Sequence, residues 1–167
     1  MWGATAVKWA GPDVERLLGW TRYHVETALD YGCGQFTMAK EFPQVNWTGY
    51  DPGIPERATK PNGKFDLVIC TDVMEHVEEE FIDEVLREMV SYAKQVIFLE
   101  IACSPAHDKF MDGPRKGEDV HISIHPPSWW EARVRALEGV HVQEVHALGR
   151  QIRGEWRDRI KLLVEIL

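Results

Sequence analysis

The chain has 167 residues, 44% hydrophobic and 28% charged, a composition typical of one globular domain of ordinary size. Its 27 acidic side chains outnumber the 19 Lys and Arg side chains, so the net charge is −8. Binding to nucleic acid through its phosphates needs an excess of basic side chains. We therefore expect a single domain, residues 1–167, that is not a general nucleic-acid binder.

The sequence has no basic segment followed by an apolar run near its N-terminus, and its longest apolar stretches are only as long as a strand. Both features argue against a signal peptide or a membrane span. We expect a cytoplasmic protein that does not enter a membrane. Three widely spaced cysteines, Cys33, Cys70 and Cys103, favour reduced, buried thiols over disulfides.

Hydrophobic periodicity predicts strands that alternate with helices along the chain. The clearest helix has apolar residues at helical spacing with acidic residues between them. The predicted helices are 12–24, 36–42, 78–93 and 129–137. The predicted strands are 25–31, 45–50, 65–70, 95–101, 140–147 and 159–167, with loops at 53–64 and 104–128.

This alternation predicts an α/β protein with a mostly parallel six-stranded sheet and helices on both faces, a three-layer sandwich. About ten residues without a convincing helix separate the last two strands. A parallel crossover needs a dozen or more residues. We therefore expect the C-terminal strand to be antiparallel.

Two strand ends carry residues suited to ligand binding. The segment Asp30-Tyr31-Gly32-Cys33-Gly34 forms a glycine turn before a helix, where the backbone can approach a ligand closely. Asp51 follows the next strand, 17 positions beyond Gly34, where an acid can accept hydrogen bonds from both hydroxyls of a ribose. An ordinary tight turn and a turn-forming Asp before Pro52 explain each feature alone about equally well.

The combination resembles the class I S-adenosylmethionine-dependent methyltransferases, which have a Rossmann-like fold. ALDYGCG is similar to the family's first motif, TGYDPG to its ribose-binding strand end, and KFDLVICTDVMEHV to its fourth-strand motif. The resemblance covers about residues 28–101. It implies S-adenosylmethionine as the cofactor. It also implies cofactor-binding roles for Asp30, Gly32 and Gly34 at the methionine moiety, Asp51 at the ribose, and Thr71 and Asp72 at the cofactor's edge.

The sequence departs from the family in two places. Phe36 stands where the family usually has a third glycine. Only 13 residues separate Asp51 from Phe65, too few for the helix, strand and helix that the family usually has there. We expect the family's third strand to be absent or vestigial. The compact chain with its Pro-Pro-x-Trp-Trp segment is also similar to small methyltransferase-like proteins from bacteriophages.

The polar segment from 104 to 130 is the predicted acceptor-binding region, because long loops in compact domains are usually functional or mobile. Its histidines could remove a proton from the acceptor. The candidate catalytic residues are His121 and His125, followed by His76. Other candidates for acceptor contacts are His107, Lys109, Arg115, Lys116, Trp129 and Trp130. The alternative is a solvated flap whose tryptophans belong to the core.

We predict no metal site. Cys103, His107, His121 and His125 suggest zinc by their spacing, but VHISIH alternates like a strand. Two histidines four positions apart in a strand lie about 13 Å apart, too far to share one ion. The basic cluster Arg150, Arg153, Arg157, Arg159 and Lys161 is interpreted as a solvated face, with contact to an anionic acceptor as the alternative.

The functional prediction is a methyltransferase acting on a small-molecule acceptor, with nucleotides among the candidates. The sequence lacks both the (D/N)PP(Y/F) motif of enzymes that methylate amino groups and the Pro-Cys pair of cytosine methylation. A non-catalytic or regulatory module that binds S-adenosylmethionine is the alternative, favoured by Phe36 and the short interval. A nucleotide-using enzyme of another type is a second, weaker alternative.

Overall fold

The computed structural model describes residues 6–106, 108–152 and 155–167. Its α-helices are α1 (Ala6–Gly19), α2 (Met38–Glu41), α3 (Ile82–Tyr92) and α4 (Pro127–Arg135). Its strands are β1 (Thr27–Tyr31), β2 (Asn46–Tyr50), β3 (Phe65–Thr71), β4 (Ala93–Ala102), β5 (Val140–Ile152) and β6 (Glu155–Ile166). No helix in these ranges is both long enough and apolar enough to cross a membrane.

The six strands form one sheet in the order β2-β1-β3-β4-β6-β5. The four strands from β1 to β4 run parallel, and β6 is antiparallel to both of its neighbours. The predicted six-stranded α/β sheet with an antiparallel C-terminal strand is confirmed. The carboxyl ends of β1 to β4 therefore meet at one edge, the edge at which parallel α/β sheets bind ligands.

Helices cover both faces of the sheet because its central strands are apolar on both faces. All seven residues of β3 are buried. Leu67 and Ile69 pack in the cluster that includes α1 and α2, whereas Val68 and Cys70 pack in the cluster that includes α3 and α4. Successive side chains of a strand therefore pack alternately against the helices on one face of the sheet and on the other.

The first helix differs from its prediction, because α1 begins at Ala6 and contains Pro12 instead of starting there. Proline removes one hydrogen bond from a helix interior. Ala10, Val14 and Leu17 lie on one buried face, so the packing of this face continues past the proline. The helix ends at Gly19, before the predicted end at residue 24.

The last two strands are longer than predicted, and the expected link between them is mostly strand. Their pairing continues to Ile152 opposite Glu155, and residues 153–154 lie outside the description. Because this part of the hairpin is rich in polar residues, hydrophobic periodicity does not predict it as strand.

Between β2 and β3, residues 51–64 contain one 3-10 turn, Pro55–Arg57, and β2 is the edge strand of the sheet. That the family's third strand is the missing element stays a prediction.

Candidate cofactor and acceptor site

The glycine turn after β1 is tied to the end of β2. The N–H groups of Gly32 and Cys33 both donate to the carbonyl of Tyr50, at 2.7 and 3.1 Å. Gly32 and Gly34 have φ angles of +76° and +49°, in the left-handed region that glycine adopts without strain. These hydrogen bonds hold the turn at the carboxyl ends of β1 and β2. The sequence predicts a glycine turn at this position.

Asp51 connects this turn to the loop after β2. One carboxylate oxygen accepts the N–H of Gly34 at 2.9 Å, and the other accepts the N–H of Gly53 at 2.9 Å. The Arg57 guanidinium donates to the carbonyl of Gly34 at 3.3 Å. The structure thus brings Asp51 and the glycine turn together, although 17 positions separate them. Each carboxylate oxygen can accept a further hydrogen bond.

Asp30 is buried beneath the turn, with 4% of its surface exposed. Burial and, to a smaller extent, the Asp51 carboxylate raise the pKa of this carboxyl group to about 7, against the opposing effect of Arg57. A cationic ligand near Asp30 and Asp51 would relieve this repulsion. The electrostatics at this strand end therefore favour a positively charged group.

Phe36 has a backbone conformation that glycine adopts more readily than other residues. Its φ of 57° lies in the left-handed region, where few bulky residues are found. The ring packs tightly on β2, since a Cβ built on Gly49 would lie 2.8 Å from it. The Arg57 guanidinium lies 5.4 Å from the ring centroid. Packing against Gly49 and Arg57 offsets the backbone strain at Phe36.

Gly32 has no room for a side chain, and we expect Gly32→Ala to lower the free energy of unfolding by about 2–3 kcal/mol. A Cβ at this position would lie 2.3 Å from a methyl group of Val73. The left-handed backbone adds about 1–2 kcal/mol for a residue with a Cβ, and overpacking adds about 1 kcal/mol or more. Chemical denaturation measures the loss.

Gly63→Ala is the matched control. Gly63 also has a positive φ, +92°, but a Cβ there meets nothing within 4 Å. We expect this variant to lose only the backbone contribution. Equal losses at the two glycines would show that the contact with Val73 is relieved at little cost.

Asp72, directly after β3, contacts a half-buried arginine. Its own φ is 55°, a conformation that Asp tolerates better than most residues. The Arg159 guanidinium donates to the Asp72 carboxylate and, at 3.0 Å, to Glu100. The Arg159 side chain is 18% exposed and Glu100 is 1% exposed. Thr71, also predicted at the cofactor's edge, is buried at the end of β3.

The solvated-face interpretation is wrong for Arg159 and Lys161. Lys161 donates to Asp13 at 2.6 Å and to the carbonyl of Trp9 at 2.8 Å, and it lies 3.7 Å from Glu100. Arg159 and Lys161 are two positions apart in β6, so both side chains project from the same face of the sheet. This is the face that α1 covers, since Lys161 contacts Trp9 and Asp13 of that helix. The side chain of Arg150 and all of Arg153 lie outside the described structure.

A second group of polar residues, Glu75, His76 and His121, lies beyond Asp72. A carboxylate oxygen of Glu75 and one nitrogen of each imidazole all lie within 4.8 Å of one another. The two imidazole rings are edge to face with centroids 5.0 Å apart. Burial, followed by the negative charge of Asp72, raises the pKa of Glu75 to about 8. Burial lowers the pKa of His121, so its ring is neutral at pH 7.

The segment containing VHISIH reaches this group without forming a strand, which corrects the prediction. The N–H groups of Ile122 and Ser123 donate to the carbonyl of Glu75, at 2.8 and 3.0 Å. The Ser123 hydroxyl donates to the carbonyl of Val77 at 2.6 Å. These bonds hold an irregular backbone against residues 75–77.

The described contacts of His125 are with residues outside the group of Glu75, His76 and His121. Its ring stacks on Trp129 with centroids 3.6 Å apart, and its Nε2 lies 3.0 Å from the Glu79 carboxylate. The next tryptophan, Trp130, is fully buried in the core. Of the three histidines predicted to be catalytic, the structure brings His76 and His121 together and gives His125 a different set of neighbours. A catalytic role for any of them stays a prediction.

The remaining polar candidates of the long segment make local contacts or lie outside the description. Lys109 forms an isolated β-bridge with Asp119, and Arg115 donates to Glu118 at 2.8 Å. Lys116 is exposed, and His107 lies outside the described residues. All three cysteines are buried free thiols whose pKa is raised by burial, to about 12 for Cys33 and Cys103.

Sequence reasoning did not single out Glu75 or Glu100. A signal for Glu100 was available, since it is the one acidic residue in the apolar run QVIFLEI, and acidic residues are rarely fully buried without a partner. No comparable signal marks Glu75, which lies in the mixed apolar and polar segment DVMEHV.

The sheet order, the glycine turn and the acid after β2 define an α/β protein with the arrangement typical of proteins that bind nucleotide-like cofactors at the carboxyl edge of the sheet. The model of a methyltransferase-domain family matches residues 5–154, and the chain belongs to that family. Together with the sequence motifs, this membership identifies an S-adenosylmethionine-dependent methyltransferase. No curated protein matches the chain in sequence.

Several solved structures share the fold at low sequence identity. An S-adenosylmethionine-dependent methyltransferase from Clostridium acetobutylicum is 13% identical, with a TM-score of 0.69 over 95% of this chain and 91% of that one. The N-methyltransferase NodS from Bradyrhizobium japonicum, in complex with S-adenosyl-L-homocysteine, is 16% identical, with a TM-score of 0.62 over 93% and 86%. The magnesium protoporphyrin IX methyltransferase of Synechocystis with bound cofactor is 15% identical, with a TM-score of 0.56 over 93% and 79%.

Proposed function

We propose that the protein transfers the methyl group to an oxygen or nitrogen atom of a small molecule held between Asp72 and the two histidines His76 and His121. The observation that carries the proposal is the placement of these histidines at the carboxyl edge of the sheet, next to the strand ends that carry the cofactor motifs. The protein's part in such a reaction is to align the acceptor with the methyl group and to assist removal of its proton.

The residues at the ends of β1 and β2 fit the cofactor. S-adenosylmethionine supplies an activated methyl group on a cationic sulfonium. Asp30 and Asp51 give this region a negative potential that suits a cation. The glycine turn packs its backbone closely against Val73 with no side chain between them, and Asp51 retains acceptor capacity for ribose hydroxyls. We assign Asp30, Gly32 and Gly34 to the methionine moiety, Asp51 to the ribose, and Thr71 and Asp72 to the cofactor's edge.

The acceptor side is lined by groups with fixed hydrogen-bonding roles. The Nδ1 atoms of His76 and His121 lie 2.7 Å from the carbonyls of Val120 and Ser104. A carbonyl only accepts, so Nδ1 carries the proton in both rings and Nε2 has the lone pair when the ring is neutral. These Nε2 atoms can accept a hydrogen bond from a hydroxyl or amine group of the acceptor. We prefer them to His125 because His125 stacks on Trp129 and lies beside Glu79.

Local charge favours a small acceptor over nucleic acid. Arg159 and Lys161 are engaged by Asp72, Glu100 and Asp13. They are therefore not available to neutralise a phosphate backbone, which needs several unpaired cations. A neutral or cationic small molecule fits this surrounding better than a polyanion.

Isothermal titration calorimetry with S-adenosylmethionine and S-adenosyl-L-homocysteine tests the cofactor part of the proposal. We expect both compounds to bind with 1:1 stoichiometry. Failure of both to bind at about 1 mM, which corresponds to roughly −4 kcal/mol, would contradict the cofactor assignment.

A cofactor with a labelled methyl group tests the acceptor part. After incubation with a cell extract separated by size, we expect the label in the small-molecule fraction. Label found only in nucleic acid or protein would overturn the small-molecule acceptor.

A further inference from the structure

We propose that Glu75, His76 and His121 form a binding site for one divalent transition-metal ion on the acceptor side of the sheet. Among the described residues, this is the group of His, Cys, Asp and Glu side chains whose ligand atoms converge, all within 4.8 Å of one another. One atom of each side chain bonded to a common ion at about 2.0–2.2 Å would bring these atoms to roughly 3–3.5 Å from one another. The required contraction, about 1 Å, is within the range of side-chain rotation.

The two imidazole rings are oriented as metal ligands usually are. A histidine that binds a metal commonly donates its other ring N–H to a backbone carbonyl or a carboxylate, which fixes the tautomer and the direction of the ring. His76 and His121 both donate Nδ1–H to backbone carbonyls, at 2.7 Å in each case. The Nε2 atom of His121 lies 4.0 Å from Oε1 of Glu75.

The Glu75 carboxylate is the independent observation that points to a ligand. The residue is completely buried. One oxygen accepts the N–H of Ala102 at 3.2 Å, whereas Oε2 has no hydrogen-bond partner among the residues that the structure describes. A buried carboxylate oxygen without a partner is costly, and buried carboxylates are normally paired or bound to a metal. A bound cation would satisfy this oxygen.

The neighbouring groups define the composition of the site. Cys103 is not among the side chains whose ligand atoms converge. Asp72 is engaged by Arg159. Two imidazoles and one carboxylate are a ligand set suited to Zn²⁺, Fe²⁺ or Mn²⁺, and three protein ligands leave coordination positions open. This set differs from the Cys103, His107, His121 and His125 set that the sequence spacing suggests, and it shares only His121 with it.

The role of the ion rests on the proposed function. An open coordination position on the acceptor side would bind the acceptor's hydroxyl oxygen and lower the pKa of its proton. With the ion bound, the Nε2 lone pairs of His76 and His121 coordinate it and no longer accept a hydrogen bond from the acceptor. The O–H bond then breaks with its electron pair left on oxygen, and the proton leaves to solvent water instead of a histidine. The ion would therefore prepare the nucleophile while Asp30 and Asp51 hold the cofactor.

Cobalt(II) added alone to untagged, chelator-treated protein tests the site. We expect one equivalent to bind, with visible absorption bands that report histidine and carboxylate ligands at low coordination number. We also expect Zn²⁺ to displace Co²⁺ and to raise the temperature of unfolding.

His121→Asn and His76→Asn should each weaken Co²⁺ binding by about 10-fold or more. His125→Asn is the matched control, because His125 belongs to the same segment but makes its described contacts with Glu79, Trp129 and Trp130. We expect His125→Asn to bind like the wild type. Circular dichroism without metal verifies that each variant is folded, and Glu75→Gln provides a third ligand variant should either histidine variant unfold.

Absence of Co²⁺ and Zn²⁺ binding by the wild type at about 1 mM would overturn the proposal. Equal binding by wild type, His121→Asn and His76→Asn would overturn it as well, because the metal would then lie elsewhere. Binding of S-adenosyl-L-homocysteine, measured on the same samples, is a separate result. Loss of cofactor binding with intact metal binding contradicts the proposed function alone, and the reverse pattern contradicts the metal site alone.

Discussion

Asp51→Ala is expected to weaken the binding of S-adenosylmethionine and S-adenosyl-L-homocysteine by more than about 100-fold. Two hydrogen bonds from ribose hydroxyls to a carboxylate contribute about 1.5–3 kcal/mol each, and 1.4 kcal/mol is a factor of ten in Kd. The substitution also removes the acceptors for the N–H groups of Gly34 and Gly53, so the glycine turn loses part of its support. Calorimetry with either compound measures the change.

Glu56→Ala is the control for loss of an acidic residue in the same loop. Glu56 lies in the exposed 3-10 turn Pro55–Arg57. We expect this variant to bind the cofactor like the wild type. Asp51→Asn should fall between the wild type and Asp51→Ala, because an amide oxygen can keep one hydrogen bond but lacks the charge. An affinity of Asp51→Ala within about threefold of wild type would remove Asp51 from the ribose site.

Arg159→Met is expected to lower the free energy of unfolding by about 2–3 kcal/mol. Breaking a fully buried ion pair costs about 3–5 kcal/mol, and the loss is smaller here because the Arg159 and Asp72 side chains are 18% and 25% exposed. The variant keeps the length and apolar stem of the side chain but leaves Asp72 and Glu100 without their shared cation. Burial already raises the pKa of Glu100, with Lys161 and Arg159 opposing the change. Removal of Arg159 should raise it further.

The pH dependence follows from the direction of that shift. A carboxyl group whose pKa is higher in the folded than in the unfolded state binds its proton more tightly in the folded protein. Protonation therefore stabilises the fold at low pH, and this stabilisation is lost as the pH rises through the folded-state pKa. The difference between Arg159→Met and wild type should therefore be smaller at pH 5 than at pH 8. Denaturation curves at both values measure it.

Arg115→Met serves as the surface comparison. Arg115 pairs with Glu118 three residues away on the exposed segment, and such pairs contribute about 0–1 kcal/mol. A loss below about 1 kcal/mol for Arg159→Met, similar to that for Arg115→Met, would show that water reaches Asp72 and Glu100 when the arginine is absent.

Much of the fold was predictable because its pattern is local. Strands such as β3 are continuous apolar runs, and α3 has its apolar residues at helical spacing. The errors came where another interaction outweighed the local signal. Packing of Ala10 and Val14 extends α1 past Pro12, and pairing between β5 and β6 extends the hairpin through polar residues.

In the candidate site, too, some contacts were predictable from the sequence and others were not. The association of Asp51 with Gly34 was predictable, because both follow neighbouring strands and the carboxyl ends of parallel strands meet. The ion pair of Arg159 with Asp72 joins positions 87 apart, and the proximity of His121 to His76 depends on how an irregular segment folds back. Composition and spacing do not determine such contacts, since they depend on tertiary hydrogen bonds such as those from Ile122 and Ser123 to Glu75.

The β5 and β6 hairpin extends beyond the sheet. The pairing of β6 with β4 stops at Arg159 opposite Ala102, yet β6 begins at Glu155, four residues earlier and therefore about 13 Å farther out. Side chains of a strand alternate with a period of two, so residues added or removed in pairs at the hairpin's end leave the register at Arg159 unchanged. The hairpin can therefore change in length by insertion or deletion at its outer end while the pairing of β6 with β4 keeps its register.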